Sequence, residues 1–298
     1  EAMRLMSDAQ SWRTAFLPAT PRLIEQYETN EMRLFEDSFI KNFFSKSTLF
    51  MMKFKVIRDV ETMMSNIFSK GGFGVILCRT KYIDNLLQAS IHNGVQQVVI
   101  LGAGLDTRPY RIAGINNIKV FEVDLPIMQN IKKEKIKKCL GKLPTHIKYV
   151  PIDFNKQALE EVLKETELDT GAPIFFICEG VTQYITEEAI KSILGFISKT
   201  ASGSTVVFTY VLRSVINKTS GIEGANNMMD YFATKDQEWK FGLEPANSSE
   251  FLKQFELTLV EDVGASYYQE KYLKPVGRKL DVSEIERVIY AKKNEKIK

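Results

Sequence analysis

Cysteine and histidine are scarce in this 298-residue chain, which has three of the first and two of the second. Cys78, Cys139 and Cys178 are widely spaced with no CxxC pair, so nothing reads as a metal site, and the odd count leaves at least one thiol without an internal partner. Reduced thiols of a cytoplasmic protein are the expectation. Cys178 falls inside a strand pattern with no histidine in view, which argues against a nucleophilic role. His92 and His146 each precede a predicted strand rather than follow one. They should therefore lie at the sheet edge away from ligands, so a histidine base is not expected. No apolar run approaches bilayer length, and the N-terminus carries no signal-peptide pattern. An excess of one charge is missing too: 40 basic residues against 37 acidic ones leave +3, which gives no electrostatic case for nucleic acid or membrane as partner.

What is present starts with 44% hydrophobic residues, enough for a large core. The chain is organised around Val98-Val99-Ile100-Leu101-Gly102-Ala103-Gly104-Leu105-Asp106-Thr107-Arg108. A β-branched run ended by Gly-x-Gly predicts a strand buried on both faces, turning sharply into a helix that Pro109 can open. Three further apolar runs end on acids: Glu122 and Asp124 after Lys119, Asp153 after Ile147, and Glu179 after Ile174. In an open α/β sheet, ligands sit outside the carboxyl ends of the strands, so these acids would be aimed at one crevice. A dinucleotide pyrophosphate wants helix N-termini and no nearby carboxylate, and the third glycine of its fingerprint is Thr107 here. S-adenosyl-L-methionine, with a sulfonium, an amine and a ribose diol, suits an acid-lined pocket better.

Along the chain, residues 1–92 show helical patterning and form an N-terminal helical cap. Thr20-Pro21 opens a segment through Tyr27, and Glu31 to Phe44 carries apolar residues at helical spacing. Met51 to Phe68 is an amphipathic run, expected to pack over the core, and Phe73 to His92 is one more helix, with Arg79 in its first half. Lys132, Lys133, Lys135, Lys137 and Lys138 read as a solvated helix face. Thr205 to Val211 gives a fifth strand, Phe255 to Val263 and Glu286 to Ala291 the last two, and residues 212–247 an insertion on the ligand side. The fold class is α/β, a doubly wound Rossmann-like seven-stranded sheet over residues 93–298 with a late hairpin at one edge.

The motifs Val99 to Arg108, Phe121-Glu122-Val123-Asp124-Leu125-Pro126, Val150 to Phe154 and Cys178-Glu179-Gly180-Val181-Thr182-Gln183-Tyr184-Ile185 together resemble the leucine carboxyl methyltransferase-like family. Trp12-Arg13-Thr14-Ala15, Leu34 to Asp37, Arg79-Thr80 and Phe241-Gly242-Leu243 extend the resemblance over most of the chain, which looks closest to the bacterial and archaeal small-molecule branch. The resemblance implies a class I methyltransferase fold and an S-adenosyl-L-methionine-dependent O-methyltransferase. Arg79 would hold the methionine carboxylate, and Gly102, Ala103, Gly104 and Asp106 would pass under the methionine part. Asp124 would bind the ribose hydroxyls, Asp153 with Phe154 would contact the adenine, Glu179 would lie near the amino group, and Glu122 and Leu125 are further cofactor-binding candidates. Gly180 stands where the phosphatase-directed enzymes carry cysteine, and Asp37-Ser38 replaces a common Asp-Pro. The first departure weakens any transfer of the phosphatase substrate, and whether the acceptor is a peptide C-terminus is not legible.

Methyl transfer needs an aligned oxygen, and a base only when that oxygen arrives protonated. The expected acceptor is therefore a small molecule bearing a carboxylate, or else an acidic phenol or enol, oriented by Tyr184 and Arg213. Phe43, Phe44, Tyr231, Phe232 and Trp239 would suit an apolar or aromatic acceptor. An NAD-dependent oxidoreductase and a catalytically inactive cofactor-binding protein stay open as alternatives, and oligomeric state is not legible.

Overall fold

The computed structural model describes residues 2–234 and 237–295, the side chains of residues 2–13 excepted. Trp12 and Arg13 of the N-terminal motif therefore lie outside the described side chains.

The strands are β1 Gln97–Leu101, β2 Lys119–Asp124, β3 Ile147–Pro151, β4 Phe175–Cys178, β5 Thr205–Val211, β6 Leu257–Val263 and β7 Glu286–Lys293. They form one seven-stranded sheet in the order β3-β2-β1-β4-β5-β7-β6. The first five are parallel, and β7 runs antiparallel to both β5 and β6. Helices α1 Ala2–Glu25, α2 Lys46–Met51, α3 Lys55–Phe68 and α4 Gly72–His92 precede the sheet. Within it come α5 Arg108–Arg111, α6 Pro126–Leu140, α7 Leu159–Lys164 and α8 Glu187–Ser198, and after β5 come α9 Arg213–Ile216, α10 Ala225–Ala233, α11 Ser248–Lys253 and α12 Ala265–Tyr268.

Side chains of a strand alternate between its two faces, and here both faces are covered. Val99 and Leu101 join Leu159, Leu163, Ile190, Ile193 and Leu252 of α7, α8 and α11. Val98 and Ile100 join Leu77, Cys78, Ile83 and Leu87 of α4. That two-sided burial is why the strand segments read as unbroken apolar runs. From β1 the chain winds outward to β3, then returns to β4 beside β1. The switch point between β1 and β4 opens a crevice at the carboxyl ends of the strands.

Four segments differ from their sequence patterns. Helix α1 runs unbroken through Pro18 and Pro21 instead of starting near Thr20, because Ala19 and Leu23 are anchored in a cluster with Leu105 and Ile136. Residues 31–44 form only a short 3₁₀ turn, Ile40–Phe43. Side chains replace the helical ladder there: Glu25 accepts from the Leu34 amide at 2.6 Å and the buried Asp37 accepts from the Ile40 amide at 3.1 Å. Lys132 is 1% exposed and bonds Glu122, so the basic helix α6 is not a uniformly solvated face.

The fourth difference is α3, in which no residue is buried. Its apolar stripe points outward: Val56, Val60, Met63, Met64 and Ile67 are 45 to 71% exposed. Beneath lies a cleft of about 1110 Å³ whose lining includes Glu25, Tyr27, Arg58, Thr62 and Arg278. Its lining is mixed: Ile24, Phe73 and Leu280 are apolar, Met63 and Ile67 reach it from the edge of the stripe, Arg278 is paired to Glu25 at 2.8 Å, and the Arg58 guanidinium lies 4.8 Å from the Tyr27 ring centre. Arg58 and Thr62 therefore face inward, and the apolar stripe is left to the outside.

Candidate active site

A cavity of about 930 Å³ occupies the crevice at the switch point. Every parallel strand delivers residues to it: Gly102 to Asp106 after β1, Asp124 and Leu125 after β2, Asp153 and Phe154 after β3, Glu179 to Ile185 after β4, and Val211 at the end of β5.

The turn after β1 has no room for a side chain at its first position. Gly102 has φ +67°, and a Cβ there would stand 2.2 Å from Val181 Cγ2. The Gly102 amide donates to Val123 O at 2.7 Å, which ties the turn to β2. Asp124, at the last position of β2, accepts the Gly104 amide on Oδ2 and the Leu125 amide on Oδ1. Burial raises its pKa against those two amide bonds. Each carboxylate oxygen keeps a second lone pair, so Asp124 can still accept from a ligand in the cavity it lines.

The floor is a chain of alternating charges. Glu179 takes Arg79 Nε at 2.8 Å on Oε1 and Arg108 Nη1 at 2.6 Å on Oε2. Burial alone would raise the Glu179 carboxyl, but Arg108 and Arg79 outweigh it and hold it down to about 2. Arg108 also bonds Asp106 Oδ2 at 2.8 Å and Asp84 Oδ1 at 2.7 Å. Arg79 Nη1 is held by both oxygens of Glu286, at 2.7 and 2.8 Å. Arg22, from α1, reaches in and donates to Leu105 O at 2.7 Å. Of the acids after the strands, Glu179 and Asp106 are thus neutralised by buried arginines, a compensation that reading the acids alone did not anticipate, whereas Asp124 bonds only backbone amides and Asp153 pairs with Lys156 at 2.9 Å.

Arg79, Gly102, Ala103, Gly104, Asp106, Asp124, Leu125, Asp153, Phe154, Glu179 and Tyr184 all line this one cavity. Glu122 and Arg213 do not. Glu122 sits two residues before the strand end, fully buried under α6, where it bonds Lys132 at 2.9 Å and Tyr110 at 3.2 Å. Burial lifts it to about 7 despite Lys132. Arg213 turns away to Glu187 at 3.3 Å, its guanidinium 5.6 Å from the Phe241 ring centre. Of the aromatics, Phe232 and Trp239 line the cavity, stacked at 5.3 Å, whereas Phe43, Phe44 and Tyr231 do not. Phe43 is buried against α1 and α6 instead. Burial pushes the Tyr184 hydroxyl up to about 12. His92 is exposed, and His146 bonds Pro109 O at 2.9 Å; neither lines the cavity.

Among the lining residues missed from sequence are two buried charged ones, Arg22 and Glu286. Arg22 lies within a helix whose start was misplaced. Glu286 opens β7 and pairs in register with Val211. The first residue of an antiparallel strand lies at the same edge as the last residue of its parallel neighbour, and that rule could have found it.

Two groups in the lining differ in character: Gly102 to Asp106, Asp124, Leu125, Asp153 and Phe154, and Val75, Ile76, Tyr184, Met228, Phe232, Trp239 and Glu286. The first offers carboxylates and an aromatic ring to a polar nucleoside-like group, and the second is mainly apolar.

The family model described as "Leucine carboxyl methyltransferase" matches residues 15–198. YktD of Bacillus subtilis, named provisionally as an S-adenosyl-L-methionine-dependent methyltransferase, is 29% identical over 221 residues, which is 72% of this chain and 70% of that one. A Streptomyces coelicolor protein given the same provisional name, SCO7813, is 33% identical over 144 residues, which is 48% of this chain and about half (50%) of the relative. Among solved structures, one from Thermobifida fusca titled provisionally as a methyltransferase superposes with TM-score 0.59 at 14% identity, covering 81% of this chain and 90% of that one.

Proposed function

The chain belongs to the leucine carboxyl methyltransferase family, and from that premise we propose that it transfers a methyl group from S-adenosyl-L-methionine to an oxygen of a small molecule. The observation that carries the reading is the cavity at the switch point, where the turn, side-chain-free at Gly102, meets the carboxylates of Asp124 and Asp153. The residues present fit the cofactor: Asp124 has lone pairs left for ribose hydroxyls, and Phe154 with Leu125 offers apolar surface for adenine. Gly180 leaves the Nη2 edge of Arg79 open, since a Cβ there would stand 3.4 Å from it. Arg79 can therefore receive the methionine carboxylate while Glu179 and Glu286 hold its other edges. Glu179, with Asp106 nearby on Arg108, favours the cofactor amine and sulfonium.

When bound, S-adenosyl-L-methionine supplies an electrophilic methyl group. Arg79, Asp124 and Phe154 would hold it with that methyl carbon offered to the acceptor oxygen and its sulfur as the leaving group. The chain's part is to orient the acceptor against Val75, Ile76, Met228, Phe232 and Trp239, with Tyr184 in the same lining. With no histidine on the described lining, an acceptor that arrives ionised is the consistent choice. A carboxylate fits first, an acidic phenol or enol second.

Titration by heat shift tests the reading. S-adenosyl-L-methionine and its demethylated product should raise the unfolding midpoint and NADH should not; the opposite result overturns it. Turnover with carboxylic and phenolic acceptors should show no steep protein-derived base limb near neutral pH.

A further inference from the structure

We propose that the outward stripe of α3, with Phe50, Met51 and Phe54 at the turn before it, seats on an anionic lipid surface. The first argument is the inversion of the helix. Val56, Val60, Met63, Met64 and Ile67 fall at helical spacing on one side, all exposed, with Met63 and Ile67 also edging the cleft, while the side turned to the protein carries Arg58, Thr62, Ser65 and Asn66. Phe50, Met51 and Phe54 continue that surface at 50 to 58% exposure. A contiguous apolar patch on the outside of a folded chain marks a place where something docks.

Charge chooses the occupant. Residues 41–70 contain Lys41, Lys46, Lys53, Lys55, Arg58 and Lys70 against Asp59 and Glu61, a net +4, whereas the whole chain carries +3. The rest of the chain is thus net −1, and the near-neutral total conceals a local basic segment. Within it Arg58 faces inward, Lys55 pairs with Asp59 and Lys70 with Glu223, so the outward basic charge rests on Lys41, Lys46 and Lys53. A second copy docked face to face would set two such segments against each other. An anionic bilayer attracts the lysines and accepts the Phe and Met side chains, which is how interfacial amphipathic helices bind. Lys41, Lys46 and Lys53 are exposed around the patch, and the Lys53 ammonium lies 5.9 Å from the Phe50 ring centre.

Position adds a consequence. Phe68, the last residue of α3, and Leu17 both line the cavity at the switch point and are 37% and 45% exposed. Seating this face on lipid would bring that part of the cavity lining close to the bilayer. The seating itself does not depend on the methyl-transfer reading.

The test is flotation of the full chain with vesicles of phosphatidylcholine alone and of phosphatidylcholine with phosphatidylglycerol. Binding is expected to the second and little to the first. Phe54→Trp should shift its emission to the blue on the anionic vesicles. The triple change Val56→Ser, Val60→Ser, Met64→Ser should abolish flotation, and Lys46→Gln with Lys53→Gln should weaken it by about fivefold per lysine. Unfolding midpoints and the heat shift by S-adenosyl-L-methionine, read on the same variants, verify that they fold with the cavity intact. No flotation with anionic vesicles, flotation that survives the triple change, or a concentration-dependent dimer dissolved by that change would each overturn the proposal.

Discussion

Glu122 bonds Lys132 and Tyr110 through one oxygen, while its other oxygen, Oε2, has no hydrogen-bond partner in a fully buried setting. Its carboxyl is raised from 4.5 to about 7, chiefly by burial. A raised acid binds more protons folded than unfolded, so its contribution to stability is fully present below pH 4.5 and is lost as pH rises to about 7. Glu122→Gln should flatten that segment of the stability–pH curve, measured by denaturant unfolding at several pH values. Lys132→Met should cost about 3–5 kcal/mol near neutral pH by stranding the acid, and adding Glu122→Met should recover much of that loss. The residue scale also shows a limit of sequence reading. Glu122 and Asp124 belong to one motif and carry the same charge, yet only Asp124 reaches the cavity. Distance from the strand end decides between them, and composition does not reveal it. For Asp124 we expect Asp124→Ala to reduce S-adenosyl-L-methionine affinity at least about tenfold, read by calorimetric titration.

Among the elements, the strands were legible because burial on both faces leaves an apolar run that little else produces. The stretch from α1 to α3 was not, because its shape comes from long-range polar contacts. Asp37 is the clearest case: fully buried, it accepts from Thr107 Oγ1 at 2.7 Å and lies 3.4 and 3.5 Å from Arg22 and Arg111. Apolar spacing over residues 31–44 suggests a helix, but the backbone follows Asp37 and Glu25 instead. Asp37→Asn should therefore cost about 2–3 kcal/mol and loosen the segment, detectable as lost amide protection over residues 31–44. Helix α3 misled in another way, since its periodicity was read correctly as helical while its apolar side faces out.

For the whole molecule, the doubly wound plan and the place of the site followed from the order of strands and the acids ending them. The arginine lattice under the site did not, because Arg22, Arg79 and Arg108 come from separate helices that meet only in the fold. A ligand bound across that lattice stabilises the native state by mass action. At a hundredfold excess over its dissociation constant, S-adenosyl-L-methionine should add about 2.7 kcal/mol, a rise of several degrees in a calorimetric midpoint.

Strand β7 carries a consequence for how the protein is made. It is the final strand of the sheet in sequence but lies between β5 and β6, and its first residue supplies the carboxylate that grips Arg79. While a ribosome is still translating residue 285, β5 has an unpaired edge and the arginine floor lacks a wall. A nascent chain therefore has no finished pocket to offer until Glu286 is in place, and a chain stopped before that point leaves the edge of β5 without its partner strand.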